Sequence, residues 1–266
     1  MTPLRVGAVS YLNTKPLVYG LNDRPAEFTL RFDVPSKCAT LLHEGKVDLG
    51  LIPAIEYLSG DSYHIVPGVS IASDGPVTTV AVFTRKAMSQ AKTIALDLSS
   101  RTSVALTRVL CARYWKIAPS FVPTEPDLDA MLARADAALV IGDPAFEIDP
   151  VTRGVTKIDL GEEWQAMTGL PFVYAMWVGR ANAASREHCR ALQEARDQGL
   201  AHLADIAREV GGGDAGLAQR SLEYLRDNLK YGLGEREIAG LRRFFELSAD
   251  VGLVSRRQPL RFYQQR

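Results

Sequence analysis

The chain is poor in most of the residues that carry obvious chemistry, and each shortage excludes something. Its three cysteines, Cys38, Cys111 and Cys189, are far apart and odd in number. They read as reduced, mostly buried thiols rather than a disulfide framework. Four scattered histidines, His43, His64, His188 and His202, show no HExxH spacing and the cysteines no CxxC, so neither a metal nor any other cofactor is expected. No apolar run approaches the ~18 residues needed to cross a bilayer. The opening MTPLRVGAVSYLN has no charged region followed by an apolar stretch and a small-residue cleavage site, so no secretion signal is expected and a cytoplasmic location is. Lys plus Arg equals Asp plus Glu at 31 each. That removes the basic surplus which would draw a nucleic acid or an anionic membrane, and leaves a small molecule as the expected partner. GxSxG, P-loop and GxGxxG patterns are missing too, which argues against triad hydrolysis, phosphoryl transfer and dinucleotide redox chemistry.

What is present is an ordinary globular composition, 47% hydrophobic and 23% charged over 266 residues, enough for one large or two medium domains. The first half alternates short apolar runs with helical patterns, as βαβ units do. Strands are predicted over Arg5–Ser10, Phe28–Phe32 and Val47–Ile52, with helices over Lys15–Leu21 and from Pro35 to Gly45. Two β-rich runs, VPGVSIAS and VTTVAVFTR, flank the turn-prone Asp74-Gly75-Pro76 and can carry the chain into a second lobe. There, strands are predicted over Thr93–Leu96, Ser120–Val122 and Ala137–Ile141, with helices from Arg101 to about Trp115 and around Asp127–Ala133. The apolar run Pro171–Gly179 can return the chain to the first lobe. Two crossings imply a hinge. The expected fold is therefore α/β and two-lobed with an interlobe ligand cleft: residues 1–80 and 175–266 form the first lobe, including C-terminal helices, and 81–174 form the second.

In open α/β sheets, ligands collect beyond the carboxyl ends of the strands. That rule selects Ser10, Tyr11 and Asn13 after the first strand, Pro53 and Ala54 after the third, and Asp97–Ser103 with Gly142 and Asp143 in the second lobe. The segment Asp97-Leu98-Ser99-Ser100-Arg101-Thr102-Ser103 ends a strand and opens a helix. Backbone N–H groups and small hydroxyls at such a start can hold a carboxylate or phosphate, although a serine there also serves as a plain N-cap. Asn13 can face a ligand or close an Asx turn. Tyr11 and Trp164 can wall the cleft or fill a core, and Asp143 can cap a helix before Pro144 or anchor a buried polar contact. Phe172, Tyr174 and Trp177 read as strand core.

Longer segments carry a resemblance. VSYLNTKPL, VPSKCATLLHEGKVDLGLIPAIEY, DGPVTTV, IALDLSSRTSVAL, ADAALVIGDPAF and EEWQAMTGLPFVYAMW, in that order, resemble the chorismate dehydratases of the futalosine route to menaquinone. The resemblance implies a periplasmic-binding-protein type II fold working in the cytoplasm, chorismate as substrate, and loss of water as the ring becomes aromatic. It makes Asn13 the pocket asparagine of the LN motif and the residue expected to be catalytic. Thr79 falls where the family often has Ser, and keeps the hydroxyl. Ser99, Ser100, Arg101, Thr102 and Ser103 would hold a carboxylate, and Trp164 and Thr168 of the EEWQAMTG segment join the substrate-binding set. The rivals are a non-catalytic small-anion binding protein and the sister enzyme that forms 1,4-dihydroxy-6-naphthoate, against which the SYLN and SSRTS segments count.

Overall fold

The computed structural model of the chain describes residues 2–255 and 258–264. It contains two five-stranded sheets. The first is built from β1 (Leu4–Val9), β2 (Phe28–Asp33), β3 (Leu49–Pro53), β4 (Tyr63–Ser73) and β10 (Phe172–Arg180), in the order β2-β1-β3-β10-β4. The second holds β5 (Val80–Thr84), β6 (Thr93–Asp97), β7 (Ser120–Thr124), β8 (Ala137–Ile141) and β9 (Thr156–Asp159), in the order β7-β6-β8-β5-β9. β1 runs parallel to β2 and β3, and β6 parallel to β7 and β8. β10 and β5 run antiparallel to their neighbours. These are the strands by which the chain enters each sheet from the other lobe. Consequently the carboxyl ends of β1, β3, β6 and β8 and the amino ends of β5 and β10 all meet at one place between the sheets.

The strands are near-continuous apolar runs because both faces are covered: every residue of β3, β5 and β8 is buried. Helices α1 (Pro35–His43), α2 (Arg101–Leu110), α3 (Leu128–Leu132), α4 (Asp143–Glu147) and α5 (Leu160–Thr168) connect them. α1 opens on Pro35, whose missing N–H costs nothing in a first turn, and α2 is capped by Ser100. The helix expected over Lys15–Leu21 is instead a 3-10 turn over Leu12–Val18, because Pro16 inside it cannot donate to an α-helical ladder. The long helix expected after Arg101 is α-helical to Leu110 and ends in a π-helical turn, Cys111–Trp115.

The C-terminal third forms α6 (Arg186–Ala201), α7 (Leu203–Gly211), α8 (Ala215–Glu223), a π-helical turn over Tyr224–Asn228, and α9 (Glu235–Asp250). These pack on the first lobe, α6 against the Leu12–Val18 turn and β4, while α9 leans on both β10 and α2. Lys230 bridges to Ala72, and Ser70 donates to the Tyr231 carbonyl at 3.1 Å, so this segment is fastened along β4. Buried Leu, Ile, Val and Phe side chains from both sheets and these helices join in one large cluster, each contributing on the order of 1.5–3 kcal/mol. Among the described residues no helix is long and apolar enough to cross a membrane.

Candidate active site

The converging strand ends line a cavity between the two sheets. Val9, Tyr11, Asn13, Pro35 and Pro53 line it from the first lobe, Val77, Thr79 and Val80 from the crossing, Ser100, Ser103, Ile141 and Gly142 from the second lobe, and Ile71, Tyr174 and Ala175 from β4 and β10. The lining is mostly apolar with six polar side chains, and none of them is Asp, Glu, Lys, Arg or His. Burial pushes the Tyr11 phenol up and that of Tyr174 well up, so both stay protonated donors.

α2 presents its amino terminus here. Ser100 caps it, accepting from the Ser103 N–H at 3.4 Å, and the two hydroxyls lie 3.1 Å apart. The remaining first-turn N–H groups have no intrahelical partners and give this edge of the cavity a partial positive charge. Opposite, the Thr79 and Tyr224 hydroxyls are 2.8 Å apart, and the Asn13 side chain stands near enough to Tyr224 to offset part of the upward push of burial on its phenol. Thr14 donates to Asn13 Oδ1 at 3.4 Å.

The lobes are closed on one another by polar contacts around the cavity. The Leu12 N–H donates to the Asp143 carboxylate at 3.1 and 3.3 Å, and the Tyr11 hydroxyl to Ser99 Oγ at 3.4 Å. The Ser36 N–H donates to the Ser99 carbonyl at 2.8 Å, and the Ile55 N–H to Thr102 Oγ1 at 3.2 Å. Arg101 lies 2.9 Å from the buried Glu56 carboxylate, which also meets His43 at 2.7 Å. Burial alone would raise the Glu56 carboxyl, but His43 and the Arg101 guanidinium outweigh it and hold the group below its ordinary range. At the crossing, Asp159 caps α5 and accepts from the N–H groups of Val77 at 3.0 Å and Thr78 at 2.6 Å. Thr78 sits at φ 70°, a left-handed conformation that a β-branched residue adopts only under restraint.

Of the residues singled out in the sequence, Tyr11, Asn13, Pro53, Thr79, Ser100, Ser103 and Gly142 are brought to this cavity. Asp143, Ser99, Thr102 and Arg101 are drawn into the cross-cleft contacts instead. Ser10 is exposed on an outer groove. Trp164 is not a cleft wall: it is fully buried against Phe172 and Phe244, and its ring N–H donates to the Pro171 carbonyl at 3.2 Å. Thr168 is likewise absent from the cavity, because its hydroxyl closes the end of α5 on the Trp164 carbonyl at 2.8 Å. Tyr174, read as strand core, faces the cavity, with its hydroxyl 3.0 Å from Ser73 Oγ. Tyr224 and Asp159 went unread, Tyr224 because nothing local in its sequence points toward residue 13.

Two similarly ordered sheets closing on a cavity at their strand ends define a two-lobed protein of the periplasmic-binding-protein type. Solved structures agree: the alkanesulfonate-binding protein of Xanthomonas axonopodis pv. citri, bound to MOPS, superposes with a TM-score of 0.68 at 16% identity, covering 96% of this chain and 95% of that one. A Candida albicans protein described as having the generic periplasmic binding protein fold does so at 0.68 and 11%, covering 97% and 92%. The family model for menaquinone biosynthesis matches residues 4–250. A chorismate dehydratase of Thermus thermophilus is 32% identical over 263 residues, 92% of this chain and 95% of that protein. The chain belongs to this menaquinone-biosynthesis family, which includes chorismate dehydratases.

Proposed function

We propose that this chain is a hydro-lyase that dehydrates chorismate to 3-[(1-carboxyvinyl)oxy]benzoate, the first step of the futalosine route to menaquinone, in the cytoplasm. The observation that carries the reading is an interlobe cavity free of charged side chains, with a helix amino terminus on one side and neutral hydrogen-bonding side chains on the other. The α2 start and the Ser100 and Ser103 hydroxyls suit one of the two carboxylates of chorismate. The ring C–H that bears the enolpyruvyl ether is vinylogous to the ring carboxylate. Its proton passes to the enolpyruvyl carboxylate of the substrate itself, and the electron pair is delocalised as a dienolate. The neighbouring C–O bond then breaks, the pair returns to complete the aromatic ring, and the departing hydroxide takes up a proton to leave as water.

In this reading the protein positions the reacting groups and aims donors at developing charge, effects worth several powers of ten in rate. Asn13 is the catalytic residue, holding the departing hydroxyl or the enolpyruvyl group, and Thr79 adds a donor from the crossing. Closure excludes water that would quench the dienolate. The test mixes purified protein with chorismate and follows enolpyruvyl-benzoate by chromatography and mass. Enzyme-dependent loss of one water supports the reading. Binding without turnover would replace it with a carrier or sensor, and neither would move the bicyclic substrate of the sister enzyme to the front.

A further inference from the structure

We propose that Tyr224, from the π-helical turn after α8, is a positioning residue that couples closure of the lobes to the orientation of Asn13 and Thr79; this rests on the reaction proposed above. The phenol is buried, its oxygen lies 2.8 Å from Thr79 Oγ1, and the Asn13 side chain stands near enough to act on it from another part of the cavity wall. Its ring touches Phe146 of α4 in the second lobe, with centroids 5.3 Å apart. The backbone that bears it is tied to the first lobe along β4 and to the crossing, where Asn228 donates to the Pro76 carbonyl at 3.1 Å. One side chain thus joins both lobes and the crossing. A π-helical turn at this point, a feature that recurs at functional sites, offsets the helix so that the phenol reaches inward.

The role we assign follows from one set of hydrogen-bond directions: with Asn13 Oδ1 accepting from Thr14, the Asn13 amide nitrogen is turned to the Tyr224 oxygen as a donor. Burial keeps Tyr224 protonated, and having accepted from Asn13 it donates to Thr79 Oγ1. The Thr79 hydroxyl proton is then turned away from Tyr224 and into the cavity. A chain of donors, Asn13 to Tyr224 to Thr79, ends at the place where the departing hydroxide needs a proton or a hydrogen bond. Without the phenolic oxygen Asn13 keeps only its contact with Thr14, and the Thr79 hydroxyl proton loses the partner that sets its direction.

Tyr224→Phe keeps the ring, and with it the Phe146 contact, while deleting the oxygen. With chorismate we expect kcat to fall roughly 10- to 100-fold, with KM changed less than about threefold, and the losses in Tyr224→Phe, Thr79→Val and the double variant to be non-additive. Independently of turnover, the Asn13 side-chain amide signals in ¹⁵N-labelled protein, assigned through Asn13→Asp, should move in Tyr224→Phe toward those of a freely rotating amide. A kcat within about twofold of the parent, or losses that multiply, would overturn the proposal. If the parent chain does not turn over chorismate, the reaction above fails, and the amide signals alone decide: unmoved signals overturn the positioning role, and moved signals uphold it for whatever ligand the cavity takes.

Discussion

Replacing Gly142 by Ala separates the fold's requirement for that glycine from the requirement of closure. Gly142 sits at φ 68° between β8 and α4, where a side chain costs on the order of 1–3 kcal/mol of strain in any state of the lobes. At about 2–4 °C per kcal/mol, Tm should drop by about 2–12 °C. A second effect exists only when the lobes are shut: the added Cβ would stand 2.6–2.8 Å from three carbons of the Tyr11 ring across the cleft. Relieving that overlap means parting the lobes or displacing Tyr11. Either loses the Tyr11–Ser99 hydrogen bond and weakens the Leu12–Asp143 bond, worth together about 2–4 kcal/mol. The closing equilibrium, and kcat/KM for chorismate with it, should fall by roughly 30- to 1000-fold. Gly154→Ala is the control, because its φ of 59° also makes a side chain costly to the backbone while a Cβ there meets nothing. It should lose Tm and keep kcat/KM. Gly142→Ala activity within about threefold of the Gly154→Ala protein would refute the assigned role of the Tyr11–Gly142 contact in closure.

Asn13→Ala should lower turnover of chorismate by about 100-fold or more with little change in Tm, since Asn13 lines the cavity and no core is lost; activity within a few-fold of the parent would remove its role. Arg101→Ala should cost no more than about fivefold in kcat/KM, because its half-exposed guanidinium meets Glu56 at 2.9 Å and does not line the cavity; a loss above about 100-fold would place it on a substrate carboxylate. The Asp136 carboxyl is held down at about 2 by Lys86 and by the N–H groups of Lys92 and Thr93. A lowered folded pKa gives stability that is present above the ordinary carboxyl range and lost as pH falls through about 2, so in thermal melts Asp136→Asn should be less stable than the parent at pH 7, with the gap closing below pH 4 and gone only below about pH 2.

The part of the site legible in the sequence is the part that follows a strand. Asn13, Pro53, Ser100, Ser103 and Gly142 stand at or just past the carboxyl ends of β1, β3, β6 and β8, and the strand-end rule places them at the cleft without knowledge of packing. Ile71, Tyr174 and Ala175 were hidden, since an apolar strand residue looks alike whether it meets a core or a cavity, and β10 runs the other way. Trp164 is the converse: periodicity cannot tell an aromatic wall from a core, and here Phe172 and Phe244 enclose it. The side of α2 that Arg101 takes depends on the phase of one helical turn, which no local pattern fixes. Asp159 caps α5, yet its grip on Val77 and Thr78 joins segments about eighty residues apart, which no local pattern signals. Tyr224 lies 211 positions from Asn13, and only the packing of the C-terminal helices brings them together.

The absence of charge from the cavity wall has a chemical consequence for the proposed reaction. A dianion enters a space with one helix amino terminus and no cationic side chain, so its two carboxylates cannot be equally well solvated. In the proposed pose the one at α2 would be stabilised as an anion, whereas the other, facing Val77, Val80, Ile141 and neutral hydroxyls, would lose water without gaining a counter-charge. Desolvation of that kind raises the pKa of a carboxyl group, by up to several units in a fully apolar setting. It therefore turns a carboxylate that is a weak base in water into one better matched to a carbon acid. An Arg or Lys on this wall would bind the substrate more tightly and also lower that basicity, stabilising the ground state more than the transition state. Arg101, the nearest candidate by sequence, is held by Glu56 outside the cavity, an arrangement that in the proposed reaction would leave the second carboxylate uncompensated and reactive.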